Sequence, residues 1–287
     1  SSRNGCVTVI SMDTGRVLDV EALSQGCKQC ERHEHLDKTS LEYQTWRAEH
    51  TKCKANFWGS APAMEPEGAE RIFQRSLELH NLRYTEFYGD GDSKSFSRVK
   101  GVYEDAGIEM GKKECIGHVQ KRVGTTLRKL KRENPGLGGK GKLTDSQIDK
   151  LQNYYGIAIR SNDSLLEKCL HGKTQNQNES LNGMIWQRVP KEVYVGRETL
   201  ELGLYDAVSH FNIGAVTVIK LFQGLNIPPG KYTEEGCKLQ DQLRVDGAEY
   251  KNKASTKKRR KVIRGLKKRN DDKNKQREGV NYASGEF

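Results

Sequence analysis

The sequence predicts an α/β fold, a mixed sheet covered by helices, and three features of its order carry that prediction. A β-hairpin opens the chain, a helix follows it, and a further strand comes next. A β-β-α-β succession of this kind builds a mixed sheet whose faces are covered by helices. Beyond Ser93 the pattern turns mostly helical, which supplies the covering layers.

Each element has its own warrant. Residues 6 to 23, CVTVISMDTGRVLDVEAL, carry β-branched and apolar residues on either side of an Asp13-Thr14-Gly15 turn. Residues 24 to 60 are polar, contain Cys, His and Trp, and show no clear period. Ile72, Phe73, Leu77 and Leu79 recur at helical spacing between Ala69 and His80, after Pro66 and Gly68. LRYTEFYGDGD then alternates like a strand and stops at a glycine-acid turn. A helix is expected over 113–132, closed by Asn134-Pro135-Gly136. Another is expected over 144–155, opened by a capping box between Thr144 and Gln147. Residues 179–187 and 197–222 also read as helical. A Pro-Pro-Gly turn at 228–230 precedes an apolar-poor helix and a basic tail.

Composition narrows the functional classes. The 287 residues are enough for one large domain or two modest ones, and a mean hydropathy of −0.83 points to a core with polar extras. No apolar run approaches the roughly 18 residues of a membrane span. The opening SSRNGCVTVIS has neither a basic n-region nor a long apolar h-region, so no secretory signal is expected. The net charge of +11 is concentrated at one end, because residues 251–287 hold 14 basic against 4 acidic side chains. Within them Lys257, Lys258, Arg259, Arg260, Lys261, Arg264, Lys267, Lys268 and Arg269 form an acid-free block. Such a block suits a nucleic-acid-binding arm and a nuclear import signal; the plainer alternative is a solvated, disordered tail.

Four constellations could carry chemistry. Cys27-x2-Cys30 and His50-x2-Cys53 are two close pairs of soft ligands, as a structural zinc site needs, with His33 and His35 as rival ligands. Seven cysteines is an odd count, and CKQC in an intracellular protein reads as metal or redox before disulfide. In YGDGDSKSF, Asp90 and Asp92 share strand parity at a strand end, where a carboxylate can grip magnesium; the alternative is an acidic turn. Cys115-x2-His118 falls on one helical face, either as half a metal site with Cys169 or His171 or as a buried hydrogen-bonded pair. Last, Glu179 stands alone among Gln175, Asn176, Gln177, Asn178 and Asn182, just before Met184-Ile185-Trp186. It is either a first-turn acid favoured by the helix dipole or the ligand that completes a site begun by Asp90 or Asp92.

The ordered set GDGDSK, then ECIGHVQKRVGTTLRKLKRE, then HGKTQNQNESLNGMIWQRVPK resembles the Mutator-like transposase domain, and CKQC…HTKC…ANFWGSAPAME fits the same pattern. The likeness covers roughly residues 3–225. It implies an RNase H-like core whose Asp, Asp, Glu triad cuts and joins DNA with two magnesium or manganese ions. The second Asp of the triad falls on Asp90 or Asp92, the Glu on Glu179, and the Cys-x2-His on Cys115 and His118. Asn178 and Asn182 would orient the acid or contact DNA. In the family the first Asp precedes the hairpin, in a segment this sequence does not include. Asp13 is a poor substitute because a hairpin tip points away from the sheet's active edge. Little or no cleavage is therefore expected from residues 1–287 alone.

The resemblance also lays out the chain. The RNase H-like core would comprise a hairpin (1–23), a helix and strand (66–96) and C-terminal helices (171–225). It would be interrupted by a small zinc-binding insertion (24–65) and a large helical insertion (97–170), and followed by a helical extension and disordered basic tail (226–287). DNA is the expected partner, together with a second copy of the chain, and no membrane; the nucleus is the expected location. The competing expectation is a relic that binds nucleic acid or chromatin without catalysis, held by structural zinc.

Overall fold

A computed structural model describes residues 3–89, 94–139, 141–161 and 176–278. The chain divides into two compact units, Ser1–Asn212 and Ile213–Phe287. Along the first run β1 (Asn4–Ile10), β2 (Val17–Ser24), α1 (Lys28–Arg32), α2 (Leu41–Glu49), α3 (Met64–His80), β3 (Glu86–Gly89), α4 (Lys94–Val99), β4 (Gly111–Glu114), α5 (Ile116–Glu133), α6 (Asp145–Ser161), α7 (Asn176–Arg188) and α8 (Arg197–Ile213). The fold is mostly helical, with two small sheets among the described residues.

The hairpin is the centre of the first unit. β1 and β2 run antiparallel, and Gly15 closes their turn at φ +70°, where a side chain would be strained. Pairing shifts between Val9, which faces Asp19, and Ile10, which faces Val17. Leu18 is therefore the extra residue of a bulge, and it turns Val17 to the same face as Val20 and Ala22. That face, with Cys6 and Ile10, packs against Leu181 and Ile185 of α7 and Leu200, Leu204 and Ala207 of α8. Val7 and Val9 point the other way, against Ala69, Ile72 and Phe73 of α3. The hairpin is thus covered on both faces.

The polar residues of β2 alternate with this apolar set. Asp19 and Glu21 face α3, where Arg75 donates to Asp19 through Nε (2.8 Å) and Nη2 (3.0 Å) and also pairs with Glu21. Arg71 links Glu21 to Glu67 of its own helix. Burial works to raise the Asp19 carboxyl. The Arg75 guanidinium, the Val20 N–H and the nearby His80 outweigh it and hold the group below the usual carboxylate range. A lowered folded value means stabilisation that is complete above the unfolded value of about 3.9 and lost as pH falls through the folded one. We therefore expect the stability advantage of the wild type over Asp19→Asn, read from urea midpoints, to hold at neutral pH. It should shrink only on acidification below about pH 4. An advantage that grew on acidification would contradict this assignment. At neutral pH Arg75→Ala should cost about 2–3 kcal/mol, since it strips a mostly buried carboxylate of both guanidinium hydrogen bonds and leaves it only the Val20 N–H and the nearby His80.

The sequence expectations hold for the hairpin and for most helices, with informative differences in extent. α3 begins at Met64 rather than near Ala69, since Pro66 in the first turn gives up an N–H that has no partner there anyway. Lys113, read as the start of a helix, belongs instead to β4, which pairs in parallel with β3. Nothing in GKKE reads locally as a strand; its pairing with Glu86–Gly89 comes from the tertiary fold. Phe87 of β3 meets Phe73 of α3 and Phe96 of α4, so both sheets rest on α3. The capping box is present, with the Gln147 N–H donating to Thr144 Oγ1 (3.3 Å) and the Thr144 N–H to Gln147 Oε1 (2.9 Å). α5 and α6 lie antiparallel, with Ile116 and Val119 against Ile159 at one end and Lys131 paired with Asp145 (3.1 Å) at the other.

In the second unit are α9 (Thr217–Gly224), α10 (Lys231–Asn252) and α11 (Ala254–Glu278). The run Arg197–Gly224 reaches a mean hydropathy of 1.2, the level of a membrane span, but it is not one helix. Gly214, at φ +79°, breaks it, and Leu200, Leu204 and Ala207 belong to the hairpin core. Where the sequence suggested a disordered tail, α11 is a helix to Glu278. Lys and Arg are good helix formers, and those described between Lys257 and Lys267 stand exposed on it.

Candidate metal centre and catalytic acids

The polar insertion builds a cluster that its lack of periodicity hides. α1 and α2 bury no residue on their own, so neither is held by a core. Cys27 caps α1, Cys30 lies within it, His50 ends α2, and Cys53 follows one turn later. Each offers one ligand atom, and the four atoms lie within 4.8 Å of one another. His50 Nε2 is 3.5 Å from both Cys27 Sγ and Cys30 Sγ, and Cys30 Sγ is 3.6 Å from Cys53 Sγ. Two zinc–sulfur bonds of about 2.3 Å at a tetrahedral angle set their sulfurs about 3.8 Å apart, so the edges fit. The donor set, three thiols and an imidazole, can hold a metal such as zinc.

The electrostatics match that use. Burial would raise the Cys27 thiol, but the backbone N–H groups of Cys30, Lys54 and Gln29 aim at its sulfur and bring it down to about 6. Burial and the neighbouring Cys53 and Cys27 sulfurs push Cys30 up. Thiols crowded like this cannot all ionise without a cation between them. His33 and His35 fall outside the group. His33 stacks instead on Trp46 (4.2 Å between ring centres), which stacks in turn on His50 (5.1 Å). Trp46 thus walls the ligand ring, a role that spacing in the sequence does not announce.

The other predicted residues are placed less completely. Glu179 lies in the first turn of α7, exposed, and no cation pairs with it among the described residues. Two residues on, Leu181 is fully buried against the hairpin, and Gln177 lies against Gly15 of the hairpin turn. The acid is therefore displayed by a helix whose opposite side is fixed to the sheet. Asn178 is half-buried and Asn182 exposed on the same helix. Asp90 and Asp92 lie outside the described residues, directly after the buried Gly89 that ends β3. Cys115 is buried at the start of α5, and the His118 N–H donates to its carbonyl (3.0 Å). Among the described residues neither joins a metal-ligating group, and Cys169 and His171 fall outside those residues. Lys257, Lys258, Arg259, Arg260, Lys261, Arg264, Lys267 and Arg269 stand exposed on α11, which also carries Lys268.

The Asp19–Arg75–Glu21 network was not singled out in the sequence, although its signal was present. Acids at i and i+2 of a strand and arginines at i and i+4 of a helix each share one face.

No curated protein and no solved structure matches the chain. The model of the Mutator-like transposases matches residues 1–181, and as that stretch takes in more than half of the sequence, the protein belongs to this family.

Proposed function

We propose that the protein is a DNA strand-transfer domain of transposase type, with Glu179 and an acid of the Asp90–Asp92 pair as two of its metal-binding carboxylates. The single observation that carries the reading is the setting of Glu179. In a member of this family, an exposed carboxylate with no cation partner stands on a helix anchored to the sheet by Leu181 and Ile185. A first-turn acid that served only the helix dipole would also stand unpaired, and metal binding is what separates the two roles. The core would be RNase H-like: the hairpin and the β3–β4 pair both rest on α3, as parts of one mixed sheet would. Magnesium or manganese, when bound, would activate the attacking hydroxyl and stabilise the leaving oxygen. The exposed cations of α11 would hold the DNA backbone, and the Cys3His group would bind zinc as a structural ion.

The test pairs nicking of supercoiled plasmid with manganese binding followed by electron paramagnetic resonance. Any metal-dependent nicking by the protein should disappear in Glu179→Gln, and bound manganese should fall, while DNA binding stays unchanged. Of Asp90→Asn and Asp92→Asn, one should behave like Glu179→Gln and the other like the wild type. Nicking and manganese binding that survive Glu179→Gln at wild-type levels would remove the basis of the proposal.

A further inference from the structure

We propose that the cleft beside the Cys3His group is a second DNA contact, one that seats backbone phosphates independently of the basic helix; this rests on the reading of DNA as the partner. The cleft has a volume of about 830 Å³ and is bounded by the metal-binding insertion on one side and the 194–199 segment on the other. Five cations line it: Lys28, Arg32, Lys52, Lys54 and Arg197. Two are already engaged, Lys54 by Glu198 and Arg197 by Glu201. Lys28, Arg32 and Lys52 have no carboxylate partner among the described residues. Of the lining acids, Glu198 is spent on Lys54, which leaves Glu49 against those three.

Balancing the metal centre does not account for this excess. Three thiolates and a neutral imidazole around a dication carry one net negative charge, which a single lysine offsets. Arg197 stays with Glu201, its buried Nε 3.2 Å from that carboxylate, so the excess rests on Lys28, Arg32 and Lys52. The cations are also held in place. Lys28 sits between ligands Cys27 and Cys30, Lys52 directly precedes Cys53, and Arg32 is one helical turn from Lys28. That fixes the backbone bearing the three cations before a phosphate arrives, and only their exposed side chains remain to be ordered. His33 and His50 both stack on Trp46, and the Arg3 guanidinium lies over the ring of Tyr194, the other large aromatic of the cleft (5.8 Å), so these rings are already engaged and the contact is with phosphate.

The experiment titrates the full chain, loaded with zinc, with a fluorescent DNA duplex over a range of salt, comparing the wild type with K28A/R32A/K52A. Each phosphate contact contributes about 0.9 to the slope of log K against log salt, so the triple variant should bind with a slope shallower by about 2.7. Its affinity near 0.1 M salt should fall at least about tenfold. In the unaltered protein, DNA should protect Lys28 and Lys52 from an amine-modifying reagent, read by mass spectrometry. An unchanged slope and affinity in a variant that keeps its zinc overturns the inference, and so do unprotected lysines in the DNA-bound wild type. If the variant loses zinc, the protection pattern alone decides. Wild-type protein that binds no DNA at low salt overturns this inference together with the DNA reading. DNA binding that is intact in the triple variant overturns only the cleft and leaves the Glu179 test standing.

Discussion

Cys30→Ser should abolish zinc binding at the Cys3His group and should unfold residues 26–54 while the hairpin core survives. The reason is local. α1 has five residues and α2 nine, neither buries a side chain of its own, and isolated helices shorter than about 12 residues are marginal in water. A segment of this size has too little apolar surface to hold itself together without a cross-link. Structural zinc supplies on the order of 10 kcal/mol in comparable small sites, so its loss should be decisive for the segment. The rest is anchored otherwise: Asn56 bonds Ser24 and Ala22 on the outer edge of β2, and Phe57 packs with Leu23 and Met64. Zinc analysis of the wild type should give one ion per chain and of the variant none. Limited proteolysis should then cut the variant within 26–54 and spare α3. Zinc-free protein that resists protease there as well as the loaded form would show that the metal is not what folds the insertion.

The same contrast explains what the sequence could and could not reveal. The hairpin was legible because both strands alternate and Asp13-Thr14-Gly15 punctuates them; the strands found, Asn4–Ile10 and Val17–Ser24, enclose the predicted turn. The group Cys27, Cys30, His50 and Cys53, which could hold a metal, was legible from paired spacing, but spacing alone did not exclude His33 as a rival to His50. The choice between them depends on α2 ending at His50 and on Trp46 taking the ring of His33 as a stacking partner. β4 was hidden because a parallel strand of four residues is defined by its neighbour rather than by its own composition. α11 went the other way. Its residues have high helix propensity and no periodic apolar face, so a criterion built on burial reads it as coil. The proposed metal-binding acids fall between these cases. The helix that bears Glu179 was expected and is present, but its chemical meaning came from the order of motifs along the chain.

Two substitutions two residues apart in α7 should separate the architectural from the chemical part of that helix. Leu181 is fully buried, at 0% exposure, among Val17, Ala22, Ile185 and Leu204. Truncation to alanine removes packing and leaves a cavity between sheet and helix, at a cost of about 2–5 kcal/mol. Leu181→Ala should therefore lower the urea midpoint strongly and, by loosening α7, weaken manganese binding as a secondary effect. Glu179 is exposed and unpaired among the described residues, so Glu179→Gln should change stability by no more than about 0.5 kcal/mol. Its effect should fall on metal binding at unchanged stability. At a first-turn position, a carboxylate that served only the helix dipole would behave differently. Its neutralisation would cost about 0.3–1 kcal/mol in low salt, and the loss would fade as salt is added. Denaturation of Glu179→Gln in low and in high salt, set beside its manganese affinity, distinguishes the two. A salt-sensitive stability loss with unaltered metal binding would make Glu179 a helix cap, and the site would then have to be sought without it.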